Sequence, residues 1–231
     1  LGEDPNEMSY EKRKQSVAIL PKDHKVILKR NRDFKFDGSV TAGLISLRGR
    51  GFYFSYDDYR IELNEIEEMM MMVRTGRYDS NGMPVVEAVN NTISDLSGFL
   101  EIDEPDNKSW KKVNPQYPRL TSTKDSYVYY DHPNIQQGKY TRDKFYYKVD
   151  PFVLDNLKEI ETDKTSFEGE LFSGMIFPPI RQPLVVRKHD NSLGFEKMTP
   201  EEGLPVYNGR ATFYNEVDLS NKGLRGTGEF R

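Results

Sequence analysis

The sequence predicts a mainly β protein, a repetitive, elongated or solenoid-like stack of short strands. Three observations point there. The segment Phe36-Asp37-Gly38-Ser39-Val40-Thr41-Ala42-Gly43-Leu44-Ile45 returns as Phe167-Glu168-Gly169-Glu170-Leu171-Phe172-Ser173-Gly174-Met175-Ile176. In the first copy Phe36, Gly38, Val40, Ala42 and Leu44 alternate with Asp37, Ser39 and Thr41, the period-two pattern of a strand with one buried face. A second echo, Leu47-Arg48-Gly49-Arg50-Gly51 against Leu224-Arg225-Gly226-Thr227-Gly228, follows each copy at a different offset. Strands that each bury one face need neighbours to complete a core, which gives such a repeat its physical meaning.

In chain order, residues 1–33 read as a lead-in, with a short helix or a mobile segment over 1–20 and a strand around Val26, Ile27 and Leu28. A repetitive β domain then spans 34–231. Phe52 to Tyr56 and Tyr59 to Leu63 flank Asp57-Asp58 as a hairpin. Met69 to Met72 follow. After several strands they read as a strand buried on both faces, with a helix as the weaker alternative, and core packing is preferred to a metal-binding or sticky methionine surface.

Two helices are predicted. Over 84–97, Pro84 suits a first turn, Val85, Val86, Val89, Ile93 and Leu96 recur at helical spacing, and Gly98 follows as a cap. Over 151–160, Asp150 would cap Pro151, with Phe152, Leu154, Leu157 and Ile160 on one side. Between them, 103–125 reads as a polar loop carrying the only tryptophan, Trp110. Short strands with glycine turns close the chain.

Composition excludes several chemistries. The 231 residues contain no cysteine, so disulfides and thiolate chemistry are absent. The 33 Lys and Arg nearly balance the 37 Asp and Glu, for a net charge of −4, which disfavours nucleic acid. No apolar run approaches the roughly 20 residues of a membrane-spanning helix, and the first residues are not a signal peptide. A start without methionine and a stop just after a glycine-rich turn suggest a fragment of a longer chain, whose remainder would be its first partner.

No catalytic constellation stands out. His24, His132 and His189 lack metal spacing, no G-x-S-x-G elbow occurs, and Gly49-x-Gly51 and Gly226-x-Gly228 fit strand turns better than phosphate loops. No cofactor or metal is assigned. Asp57, Asp58, Asp103, Asp106, Asp125 and Asp131 are candidates for an acid and base pair in glycoside cleavage, against the plain reading of a turn and a solvated loop. Asp103-x-x-Asp106-Asn107 matches no known calcium loop.

The candidate contact surface is aromatic: Tyr127, Tyr129, Tyr130, Tyr146 and Tyr147, with Trp110. Alternation places Tyr127, Tyr129 and Tyr147 on one face and Val128, Tyr130 and Tyr146 on the other. Seven Tyr and Phe residues between 127 and 147 exceed what one thin layer needs for its core, so one row should be partly exposed, unless both pack against the helices and the Trp110 loop.

Asn107-Lys108-Ser109, Tyr127 to Asp131, Phe145-Tyr146-Tyr147, Asp150-Pro151-Phe152, Asn191 to Phe195 and Leu219 to Gly226 together resemble an interior section of very large, uncharacterised proteins of Bacteroidetes-type bacteria. The resemblance covers about 34–231. It implies a fragment of a secreted or cell-envelope protein of repetitive β character, and no activity to carry over. More distantly, the F-x-G-x-x-x-A/S-G pattern is similar to strands of AsmA-like bridge proteins. The expectation is a non-catalytic structural or interaction module whose further partners are glycan, lipid or envelope protein; the alternative is a glycan-binding or glycoside-hydrolase-like domain.

Overall fold

The computed structural model describes residues 17–231, so the reading of residues 1–16 lies outside the described residues. The chain forms β1 (Val17–Pro21), β2 (Ile27–Leu28), β3 (Phe34–Ala42), β4 (Ile45–Ser55), β5 (Arg60–Tyr78), β6 (Pro84–Ala88), β7 (Ile93–Glu101), β8 (Arg119–Ser122), β9 (Ser126–Tyr129), β10 (Phe145–Val149) and β11 (Val153–Leu154). Then come β12 (Ser166–Phe167), β13 (Gly169–Ser173), β14 (Ile180–Arg181), β15 (Leu184–Val186), β16 (Leu193–Met198), β17 (Leu204–Val206), β18 (Ala211–Ser220) and β19 (Gly223–Phe230).

These strands make two open antiparallel sheets. The first has 13 strands, ordered β1-β3-β4-β5-β7-β9-β10-β13-β14, with β2, β6, β8 and β11 beside this path. The second has six, ordered β12-β15-β16-β18-β17 with β19 on β18. The protein is therefore mainly β, as predicted. The solenoid-like stack is corrected: successive strands pair antiparallel as a meander, whereas solenoid coils stack repeat upon repeat.

Both predicted helices are absent. Residues 84–97 divide into β6 and β7, separated at Asn90 and Asn91. Asn91 is held by the second sheet: its Nδ2 donates to Asn221 Oδ1 at 2.8 Å, and its Oδ1 accepts the Leu193 N–H at 2.8 Å. The helical spacing from Ile93 to Leu96 arises inside a strand, because Asp95 at φ 60° resets the alternation and leaves two inward side chains three residues apart. Over 151–160 the backbone runs extended as β11 against β8 and turns at Asn156, φ 47°. Its groups bond outward instead of along a helix: the Leu157 carbonyl accepts Leu44 N–H at 2.7 Å and the Ile160 carbonyl accepts Arg74 N–H at 2.7 Å.

The methionine run is a strand, but with one face buried. Met69 and Met71 are buried, whereas Met70 and Met72 are 44% and 43% exposed, because an open sheet leaves its second face to water. Gly49 and Gly51 are not a turn either; they lie within β4. Gly51, at φ 67°, takes up a register slip against β3, with its N–H donating to Asp37 Oδ1 at 2.8 Å and its carbonyl accepting from Asn64 at 2.8 Å. Gly226 and Gly228 likewise sit inside β19, where a Cβ on Gly228 would lie 1.8 Å from the Tyr214 carbonyl.

In the two similar segments, Gly38 and Gly169 have φ of 139° and 158°, and each meets a partner-strand carbonyl too closely for a side chain. Gly43 and Gly174 close the following turns at φ 59° and 64°. The segments differ in setting: 34–42 is one unbroken strand, whereas Phe167 belongs to the second sheet and 169–173 to the first.

One buried cluster draws on both sheets, including Phe52, Ile61 and Leu96 from the first and Phe195, Phe213 and Leu219 from the second. Polar contacts fix how the sheets meet. The Tyr130 hydroxyl donates to the Leu193 carbonyl at 2.8 Å, and that of Tyr147 reaches the Gln182 carbonyl at 2.8 Å. No helix among the described residues is long and apolar enough to cross a membrane.

Candidate aromatic contact site

The site lies on the outward face of the first sheet, where β9, β10 and β13 run side by side. Strand register assembles it. Tyr129 pairs with Tyr146, and Tyr146 with Phe172, so three outward rings stand directly across three strands. Tyr146 stacks on Phe172 with centroids 5.0 Å apart, Tyr127 stacks on Tyr129 at 5.9 Å, and Tyr127 meets Tyr146 edge-on at 5.8 Å. All four rings are half-buried. Stacking covers facing sides of these rings, and their remaining exposed surface is what the row offers to a ligand.

Within each strand the predicted alternation holds; between strands it needs correction. Tyr146, not Tyr147, shares a face with Tyr127 and Tyr129, since Tyr147 pairs with buried Val128. Tyr130 and Tyr147 are fully buried and form part of the core, not the contact surface. Burial drives both hydroxyls well above the ordinary tyrosine range. Trp110 is elsewhere, edge-on to Tyr59 at 6.5 Å.

Each end of the row opens into a hollow. Beyond Phe172, Met175, Phe177, Pro178 and Pro205 line an apolar hollow of about 510 Å³ that also contains Tyr146. Beyond Tyr129 lies a polar cleft of about 650 Å³ with Glu67, Glu68, Asp95, Asp131 and Arg142 on its walls. Tyr129 is the hinge between the row and this cleft. Its hydroxyl donates to Asp95 Oδ2 at 3.0 Å, and the Arg142 guanidinium lies 4.1 Å above its ring. Burial first, and then the bond to Asp95, push the Tyr129 hydroxyl up to about 12.

The carboxylates in the cleft are already engaged. Asp131 pairs with Arg142 at 2.9 Å, Glu68 with Arg48 at 2.7 Å and Glu67 with Arg50 at 3.3 Å. Of the six candidate aspartates, only Asp131 lines this cleft. Asp58 accepts from Ser55 Oγ in the hairpin turn at 2.8 Å, Asp106 pairs with Lys112 at 3.0 Å, and Asp125 with Lys148 at 3.5 Å. Asp103 is buried and accepts from Asn107 Nδ2 at 2.8 Å, Asn114 Nδ2 at 2.7 Å and the Glu104 N–H at 2.7 Å. It is the staple of the loop that follows. Its oxygens serve amide donors, and no group of three or more acidic or histidine residues among the described residues could hold a metal.

Phe172 and Arg142 are the members that sequence reasoning missed. Alternation along 169–173 does turn Phe172 away from Leu171, so its outward direction was readable; its place beside Tyr146 depends on a pairing that spans distant segments. No family model matches the chain, and no curated protein or solved structure matches it.

Proposed function

We propose that this chain is a non-catalytic interaction module that binds an extended glycan along Tyr127, Tyr129, Tyr146 and Phe172. The observation carrying this reading is the half-buried aromatic ladder set by strand register on an open sheet face. Aromatic rings fixed by their neighbours offer contact area at low entropic cost, and tyrosine hydroxyls at the rim can hydrogen-bond. Arg142, Asp131 and Asp95 at the Tyr129 end supply polar partners for sugar hydroxyls. The setting within this proposal, a large bacterial envelope protein with repeated β segments, rests on the resemblance of the sequence.

The glycoside-hydrolase reading rests on one observation, the carboxylates gathered in the cleft beside Tyr129. Their pairing with Arg48, Arg50, Arg142 and the Tyr129 hydroxyl favours binding over acid–base work. Titration of the chain against a polysaccharide panel, with product analysis, tests both: binding without turnover fits the module, and turnover lost in Asp95→Asn or Asp131→Asn establishes the hydrolase.

A further inference from the structure

A different surface stands out at the edge of the first sheet. Strands β1 and β2 lie one after the other along β3, and every residue from 22 to 32 is exposed. Water meets large aliphatic side chains here: Leu20 is 68% exposed, Ile27 60% and Leu28 77%. Leu20 pairs with Ser39 and Ile27 with Lys35, which places both on the solvent face of the sheet.

Charge singles this edge out further. Lys22, Lys25, Lys29, Arg30 and Arg32 lie within these residues against Asp23 alone, in a chain whose net charge is −4. The next acidic residue, Asp33, is engaged by its own chain, accepting from the Tyr53 hydroxyl at 2.6 Å and the Tyr56 N–H at 2.8 Å. Arg32 is braced over the Tyr56 ring at 3.8 Å. Tight turns at Asp23 and Asn31, with φ of 54° and 61°, carry the lysines and arginines to either side of the Ile27–Leu28 strand.

We propose that this edge is a peripheral docking surface for an anionic lipid bilayer. Aliphatic side chains ringed by lysine and arginine suit the boundary between headgroups and acyl chains, where apolar contact and attraction to anionic lipid act together. The surface is separate from the aromatic ladder, so it does not depend on glycan binding.

Cosedimentation with phosphatidylcholine vesicles, with and without phosphatidylserine, tests it. Binding is expected to the serine-containing vesicles and to weaken as salt rises. The paired change Lys29→Ser with Arg30→Ser should weaken it about thirtyfold, at roughly fivefold per charge. Leu20→Ser with Ile27→Ser should also reduce it at least about tenfold, with an unchanged melting temperature since both side chains are exposed. Failure to sediment with phosphatidylserine vesicles, or unchanged binding in either variant, overturns the proposal. Retention on a polyglutamate resin without vesicle binding overturns it in favour of an acidic macromolecule.

Discussion

Tyr129 and Tyr130 are adjacent in sequence and face opposite ways: the first donates to Asp95 on the wet face at 3.0 Å, the second to the Leu193 carbonyl in the core at 2.8 Å. The same pair of residue types thus serves a surface and a junction between sheets. Tyr130→Phe strips the donor from a buried carbonyl and should destabilise the fold by about 1–3 kcal/mol in urea unfolding. Tyr130→Ser, which also leaves a cavity, should cost about 3–5 kcal/mol. A loss in Tyr130→Phe below the error of the measurement would mean that this bond does not hold the sheets.

Glycines inside the strands should resist substitution. A Cβ on Gly98 would lie 1.9 Å from the Thr121 carbonyl, and one on Gly169 2.1 Å from that of Lys148, both at φ 158°. Gly98→Ala and Gly169→Ala should each destabilise by about 2–4 kcal/mol, the sum of backbone strain and steric overlap. Gly76, at φ 75° with open space around it, should cost only about 1 kcal/mol as alanine. Equal losses at all three sites would refute the close-approach explanation.

The loop after β7 should depend on Asp103. Asp103→Ala removes an acceptor from the buried Asn107 amide and from the half-buried Asn114 amide and Glu104 N–H, at about 2–3 kcal/mol. Limited proteolysis should then cut within 104–116 faster than in the parent chain. An unaltered digestion pattern would show that the loop is held by other contacts.

Alkaline stability follows from the tyrosines. Tyr117 and Tyr129 are raised from the ordinary 10.0 to about 12, each by burial first and then by bonding to Glu104 or Asp95 respectively. Their folded state favours the neutral phenol, so its contribution is complete below about pH 10 and is lost as pH rises through about 12. Tyrosinate absorbance should lag that of free tyrosine over this window and jump on unfolding. Titration of all 14 tyrosines near the free value would contradict the burial described.

Period-two alternation made the strand class readable, since Phe36, Val40 and Ala42 face the core as their spacing says. The 84–97 error shows where such reading stops. Valine and isoleucine at three- and four-residue intervals arise equally from a helix or from two strands joined by a break, and the break is decided by Asn91 bonding to residues more than a hundred positions away. The site was half legible for the same reason. Tyr127 and Tyr129 follow from local alternation, whereas the swap of Tyr146 for Tyr147 and the addition of Phe172 follow from cross-strand register, which only the assembled sheet fixes.

The aromatic ladder is tested most directly by titrating the parent chain and a Tyr129→Ser, Tyr146→Ser double variant against a polysaccharide panel, with thermal unfolding recorded in parallel. The account predicts a polysaccharide that binds the parent and weakens at least about tenfold in the variant, at about 1 kcal/mol or more per ring lost. Melting should fall by no more than a few degrees, because both rings are only half-buried. Undiminished binding in the variant, or a panel that yields no ligand for the parent, would contradict the claim that this row of rings is a glycan-binding surface.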